Sequence, residues 1–268
     1  MAEPRREKLK GENHMTVFYF TGTGNSLAVT KRIGGTLISI PQVIDSDNPH
    51  YMDDVIGVVF PVYWATAPDM VLKFIETAKF ECEYLFLLAT HGGGAAASLK
   101  TVQRLAGRNG YQFSYLDDIG MIDNSMSSAS IEAQIAKQSK EKFESKMAVI
   151  LKNIASRKQN HDKNTSIFWG AFTFVVSKIP NYEKFPQKYL IDDKCNLCKT
   201  CSKVCPAGNV EVNDKVNFSK LCTGCLACLH NCPENAIHLK RERSAARWRH
   251  PEVTLKEIID ANNRTDFR

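Results

Sequence analysis

From Thr16 onward, hydrophobic and polar positions repeat in a fixed order: an apolar run, a loop of glycines and hydroxyls, then an amphipathic stretch. Thr16–Phe20, Asp54–Phe60 and Tyr84–Thr90 are close to continuously apolar, as parallel strands covered on both faces are. Thr36–Ile40 reads as a short strand, and Gln112–Leu116 starts a fifth that runs on toward Met121. Helical spacing occupies the intervals: Leu27–Ile33, stopped at Gly34–Gly35; Asp69 to about Lys79, with Met70, Phe74 and Ile75 inward; and about Ala95 to Ala106. Strands alternating with helices predict an α/β domain with a doubly wound, parallel five-stranded sheet and right-handed crossovers. A last helical pattern runs from Ile131 to about Ser156, with Ile131, Ile135, Phe143, Met147, Ile150, Leu151 and Ile154 on one face. It closes a domain expected over residues 15–156.

The pattern then changes. Arg157–Thr165 is polar and opens a linker expected over 157–190. Within it, Ile167–Val176 is apolar throughout but too short to span a bilayer, so it is expected to be buried between two domains rather than against a membrane. Val210–Phe218 reads as a two-stranded hairpin, Ala236–Leu239 as a further strand, and Pro251–Asn262 as a terminal helix within a basic tail over 241–268. Residues 1–14 are polar and precede Met15; they read as a disordered extension or a leader.

Cysteine changes the picture most. Eight of the nine cysteines lie between Cys195 and Cys232, as two copies of C-x2-C-x2-C-x3-C-P. Soft thiolates at this spacing suit iron–sulfur cubanes. A disulfide framework needs a secreted chain, and no signal peptide is read at the start. Zinc also uses paired C-x2-C but has no need of a triple run followed by Cys-Pro, twice. Residues 191–240 resemble the bacterial 2×4Fe–4S ferredoxins, a small α+β fold. The resemblance implies one cluster on Cys195, Cys198, Cys201 and Cys232, and a second on Cys222, Cys225, Cys228 and Cys205, each ligand set drawing its fourth member from the other run. Pro206 and Pro233 turn the chain, Gly208 and Gly224 permit close backbone approach, and Leu197, Val204, Leu226, Leu229 and Ile237 are expected to keep water off the clusters. Cys82 stands apart and reads as structural.

Three loops carry the remaining chemistry. Thr21-Gly22-Thr23-Gly24-Asn25-Ser26 follows the first strand and opens the first helix, which makes an anion seat from backbone N–H groups, hydroxyls and a helix N-terminus. No Lys-[ST] follows Gly24, so it is not a nucleoside-triphosphate loop, and the third glycine of the dinucleotide fingerprint is missing. A cation-free cradle suits a terminal monophosphate. Pro61-Val62-Tyr63-Trp64 and Thr90-His91-Gly92-Gly93-Gly94 follow the two central strands, on the edge where such sheets bind ligands. Together these loops resemble those of flavodoxins over roughly residues 15–155, which implies FMN with its phosphate on the first loop. Departing from that family, the third loop offers His91 and glycines where an aromatic is common, so one ring face is expected to stay open. His91 reads as a structural residue, or as a donor or proton carrier near the flavin.

Composition bounds the rest. A chain of 268 residues accommodates two domains, and 43% hydrophobic with 24% charged residues describes an ordinary globular protein. Reduced cysteines point to the cytoplasm. The net charge of +6 is modest, and nothing resembles a nucleic-acid module. The run Arg241–His250 is basic; it either docks an acidic electron donor or packs its aliphatic stems inward. As a whole the chain resembles the flavodoxin–ferredoxin fusions of anaerobic bacteria. That resemblance implies an electron-transfer protein joining one- and two-electron steps between FMN and two 4Fe–4S clusters, with redox proteins as partners. The alternatives are a flavin-dependent reductase of a small acceptor such as a quinone or nitro compound, and a redox-sensing or assembly module without flavin.

Overall fold

The computed structural model describes residues 14–95, 98–126, 130–160 and 187–264. The linker stretch Ile167–Val176 and nearly all of the N-terminal extension lie outside them. The strands are β1 (Met15–Tyr19), β2 (Thr36–Ser39), β3 (His50–Met52), β4 (Val55–Pro61), β5 (Lys79–Glu81), β6 (Tyr84–His91) and β7 (Tyr115–Gly120). Five of them form one sheet in the order β2-β1-β4-β6-β7 with every neighbouring pair parallel, the flavodoxin-like arrangement. The chain leaves β1 in opposite directions for its two neighbours, so a crevice opens beyond the carboxyl ends of β1 and β4.

Each sheet face has its own helices. The helices Asp69–Thr77 and Ser98–Arg108 set Val71, Phe74, Ile75, Leu99 and Val102 on Phe18, Ile56, Val58 and Leu87. On the other face, Asn25–Ile33 and Lys140–Ala155 set Leu27, Val29, Met147 and Ile150 on Val17, Val59 and Leu88. The expected single helix from Ile131 is two, Ile131–Lys137 and Lys140–Ala155. Ser139 begins the second by accepting a hydrogen bond from the Lys142 N–H, a cap that competes with continuing the first. The break leaves Ile135 half exposed instead of inward.

The C-terminal part is built from two small antiparallel ladders: β8 (Tyr189–Ile191) with β11 (Ile237–Leu239), and β9 (Val210–Val212) with β10 (Val216–Phe218). The two cysteine runs adopt the same backbone. Leu197 and Gly224 occupy equivalent places and both take positive φ, 57° and 67°; so do Lys199 and Leu226, at 62° and 57°. Only one of these four positions is glycine. Val204, Leu226, Leu229 and Ile237 are buried as expected, whereas Leu197 is 38% exposed, on the wall of the small cavity shared by Cys195, Cys198, Cys201 and Cys232.

The two halves share a core. Val204, Ala227, Val253, Ile258 and Ala261 pack in the same cluster as Leu27, Val29 and Val59, and Met126 and Ile131 pack among Leu226, Leu229 and Ile237. The final helix, Leu255–Asn262, starts in a reciprocal cap between Thr254 and Glu257. It lies against the flavodoxin-like domain, where Ser39 Oγ donates to Ala261 O at 2.6 Å.

Candidate functional site

A cavity of about 340 Å³ opens where the crevice was expected. It is lined by the loops after β1, β4 and β6, which brings together Thr21, Gly22, Thr23, Asn25, Ser26, Pro61–Trp64 and Thr90–Gly94. Gly24 alone of the singled-out residues lies off the wall. It takes φ 95° with its carbonyl accepting from the Ala28 N–H, and a side chain there would meet Val253 and His250.

The first loop is fixed by its own side chains. Thr21 Oγ1 accepts from the Gly24 N–H at 3.0 Å, and the buried hydroxyls of Ser26 and Thr90 lie 2.9 Å apart. Asn25 donates to Ile122 O at 3.1 Å and accepts from Trp248 Nε1 at 3.0 Å, so it braces the wall. Trp64 and Ala65 both take positive φ, 50° and 64°, in a tight turn closed by mutual hydrogen bonds of Tyr63 and Thr66. Trp64 stands 39% exposed at the cavity mouth. His91 Nε2 lies 3.1 Å from Asp118 Oδ1, while its Nδ1 is buried with no hydrogen-bond partner among the described residues.

Two segments of the wall were not expected there from sequence. The loop after β7 contributes Ile122 to Ser125. Asn124 donates to the hydroxyl of Thr23, and Asp123 sits where a side chain on Gly92 would have to go. As the fourth loop on the same sheet edge it was recognisable in principle. The second segment is Gly224, Cys225 and Leu226, from the second cysteine run.

The cysteines fall into two spatial sets. Cys201 stands in the field of Cys232, Cys198 and Cys195, and these four line one small cavity. Cys228 stands in the field of Cys205, Cys225 and Cys222. Burial, reinforced by the neighbouring sulfurs, pushes the thiols of Cys201 and Cys225 up to about 12. Bare thiols there stay protonated at neutral pH, and a bound cationic metal reverses that preference. Backbone N–H groups already point at sulfur: Asn209 at Cys205 (3.2 Å), Ala236 at Cys232 (3.4 Å) and Gly224 at Cys222 (3.4 Å). The first two are equivalent bonds in the two runs. Cys198 is exposed, whereas Cys201, Cys205 and Cys228 are buried. Cys82, half-buried, has its thiol pushed up to about 11 by burial and lies apart from both sets.

The basic run faces inward in part. The side chain of Arg247 is 7% exposed and donates to Ile237 O at 2.9 Å, with Glu242 beside it at 3.3 Å. Among the described residues, no helix is long and apolar enough to cross a membrane.

Fold and site together define an iron–sulfur protein with a flavodoxin-like domain. Residues 194–237 match the family of 4Fe-4S dicluster domains. A flavodoxin-like sheet followed by a match to dicluster domains fits a flavodoxin–ferredoxin fusion. Among curated proteins, the pyruvate synthase subunit PorD of Methanocaldococcus jannaschii is 39% identical over 56 residues, which is 20% of this chain. The match spans 65% of that subunit, less than two thirds of its length. The PorD subunit of Methanothermobacter marburgensis is 34% identical over 55 residues, 20% of this chain and 67% of that subunit. Among solved structures, a flavoprotein in complex with FMN from Lactobacillus acidophilus aligns at 11% identity and TM-score 0.29, over 40% of this chain and 93% of that one. The fold class rests on the strand order itself, not on that likeness.

Proposed function

We propose that this chain is an electron-transfer flavoprotein that binds FMN in the cavity and holds two 4Fe–4S clusters, one on Cys195, Cys198, Cys201 and Cys232 and one on Cys222, Cys225, Cys228 and Cys205. Bound FMN supplies both one- and two-electron steps, while each cluster supplies single electrons. The observation that carries the reading is the wall shared by the two sites: Cys225 and Leu226 line the same cavity as Thr21–Thr23. The second cluster would therefore abut the flavin site. The first would lie toward solvent, where the exposed Cys198 offers a redox partner protein its approach.

Residues of the chain fit both groups. The 21–26 loop offers N–H groups and hydroxyls without a cation, and at Gly22 the Cys225 carbonyl and the Tyr63 hydroxyl stand too close for any side chain. The buried sulfurs have neighbours that would repel one another as bare thiolates, together with backbone donors suited to a cluster. The matched PorD proteins are subunits of pyruvate synthases. By analogy, a larger redox enzyme is a suitable partner class here.

Oxygen-free purification, followed by iron and flavin analysis and light-driven flavin reduction watched at the cluster absorption, tests the reading. About eight irons per chain, stoichiometric FMN and cluster bleaching on flavin reduction are expected. Full iron with no affinity for FMN would overturn it. A second reading, reduction of a small acceptor at the flavin, draws on the orientation of His91 by Asp118 beside the cavity. It predicts flavin reoxidation by a quinone or nitro compound at a rate that drops in Asp118→Asn.

A further inference from the structure

The 21–26 loop is held from outside as well as by its own side chains. Its three successive carbonyls are each bonded from the C-terminal half: Thr21 O accepts from Asn262 Nδ2 at 2.9 Å, Gly22 O from Asn231 Nδ2 at 3.2 Å, and Thr23 O from the His250 N–H at 2.9 Å. In a trans peptide the N–H points opposite to the carbonyl before it. Pulling these carbonyls toward the C-terminal half therefore turns the N–H groups of Gly22, Thr23 and Gly24 the other way. The Gly24 N–H is taken by Thr21 Oγ1, and Gly22 and Thr23 line the cavity.

Each asparagine also has a second partner. Asn262 Nδ2 donates to Val204 O at 3.3 Å, and Val204 precedes Cys205. Asn231 Nδ2 donates to Ala227 O at 2.9 Å, and Ala227 precedes Cys228. Two carbonyl partners apiece fix the orientation of both amides. Both side chains are buried, at 0% and 2% exposure, so water cannot replace a lost donor. Each amide thus joins one carbonyl of the phosphate loop to one carbonyl adjacent to a cysteine of the second set.

We propose that Asn231 and Asn262 are positioning residues that make FMN affinity conditional on the second cluster. The inference rests on the flavin site described above and adds a coupling to it. Where Cys205 and Cys228 are gathered by a cluster, the two amides hold the loop with its N–H groups outward for phosphate. Where they are not, the loop carbonyls lose their anchors and the phosphate seat relaxes. Binding linkage is reciprocal, so bound FMN also protects the second cluster.

The test uses the full-length, cluster-loaded chain with Asn231→Asp and Asn262→Asp, which keep shape but remove the donor. Iron content and circular dichroism establish that the fold is retained, and Asn231→Ala and Asn262→Ala serve where the buried carboxyl prevents folding. Affinities for FMN and for riboflavin, which lacks the phosphate, are read by flavin fluorescence. FMN affinity is expected to fall about tenfold or more with riboflavin affinity within about twofold of wild type. FMN is also expected to slow chelator-driven iron loss from wild type but not from the variants. Unchanged FMN affinity in iron-replete variants overturns the inference, as does an equal loss of FMN and riboflavin. Wild-type protein that binds neither flavin overturns the proposed function itself and this inference with it.

Discussion

The carbonyl oxygen of Cys225 lies 2.8 Å from the place where a methyl group on Gly22 would sit, and the Tyr63 hydroxyl lies 3.1 Å from that place. The 21–26 loop and the second cysteine run thus meet with no space for one carbon atom. Gly22→Ala has to push backbone against backbone, and neither side is a flexible side-chain end. The expected outcome is FMN binding weakened by about tenfold or more, measured by flavin fluorescence. Gly107→Ala is the matched control, since nothing lies within 4 Å of its added carbon and it sits in the helix Ser98–Arg108, off the cavity wall. It should bind FMN as wild type does.

His230 links the two halves and sets an acid limit on them. Its Nε2–H donates to Asn124 O at 2.8 Å and its Nδ1 accepts from the Trp248 N–H at 3.1 Å, which fixes the neutral ring. Burial lowers its pKa to about 4. The unfolded chain takes up the proton near pH 6.5, so the contribution is complete above that pH and is lost as pH falls toward 4. Denaturant titrations should show a loss of roughly 3 kcal/mol across this window. In His230→Gln, whose amide can still donate to Asn124 O, the dependence should flatten.

The two cysteine sets should separate by mutation. Cys198 is exposed, so Cys198→Ser should reduce iron from about eight to about four per chain and leave FMN affinity intact. Cys228 is buried in the run that lines the cavity, so Cys228→Ser should lose similar iron together with FMN affinity. Iron assay and flavin titration on the same samples decide it. Equal effects of the two variants on flavin would contradict the assignment of the second set to the flavin side.

The capping box at Thr254 holds the helix that carries Asn262. Thr254 Oγ1 accepts from the Glu257 N–H at 3.2 Å, and Glu257 Oε2 accepts from the Thr254 N–H at 2.7 Å. Lys31, 2.6 Å away, is the main reason the Glu257 carboxyl sits low, at about 2. Thr254→Ala is expected to cost about 1 kcal/mol, read as a fall in Tm of roughly 2–4 °C. Thr254→Ser should recover most of it.

Much of this architecture was legible because its signals are local. Strands such as Val55–Pro61 and Tyr84–His91 are buried on both faces and so read as unbroken apolar runs. The cysteine spacing declares its chemistry through repetition, and the loop at 21–26 through its glycines between a strand and a helix. The contacts between the halves gave no such sign. Asn231, Asn262 and His230 are single polar residues in ordinary surroundings, and what matters is the carbonyl each meets across more than a hundred positions of chain. Arg247 and Trp248 read as part of a basic surface run, yet Arg247 turns in to cap Ile237 O and Trp248 reaches Asn25. The break at Ser139 was hidden because a serine cap inside a helical pattern looks like one more polar position.

The core that runs unbroken from Val29 and Val59 to Ala227 and Ile258 has a kinetic consequence. Separate flavin and iron–sulfur carriers must find each other by diffusion, and their traffic slows on dilution or when salt screens their attraction. In the proposed function the encounter is finished once the chain has folded. The internal transfer rate should therefore be first order, indifferent to protein concentration and to ionic strength, leaving only the exchange with outside partners to be tuned by charge.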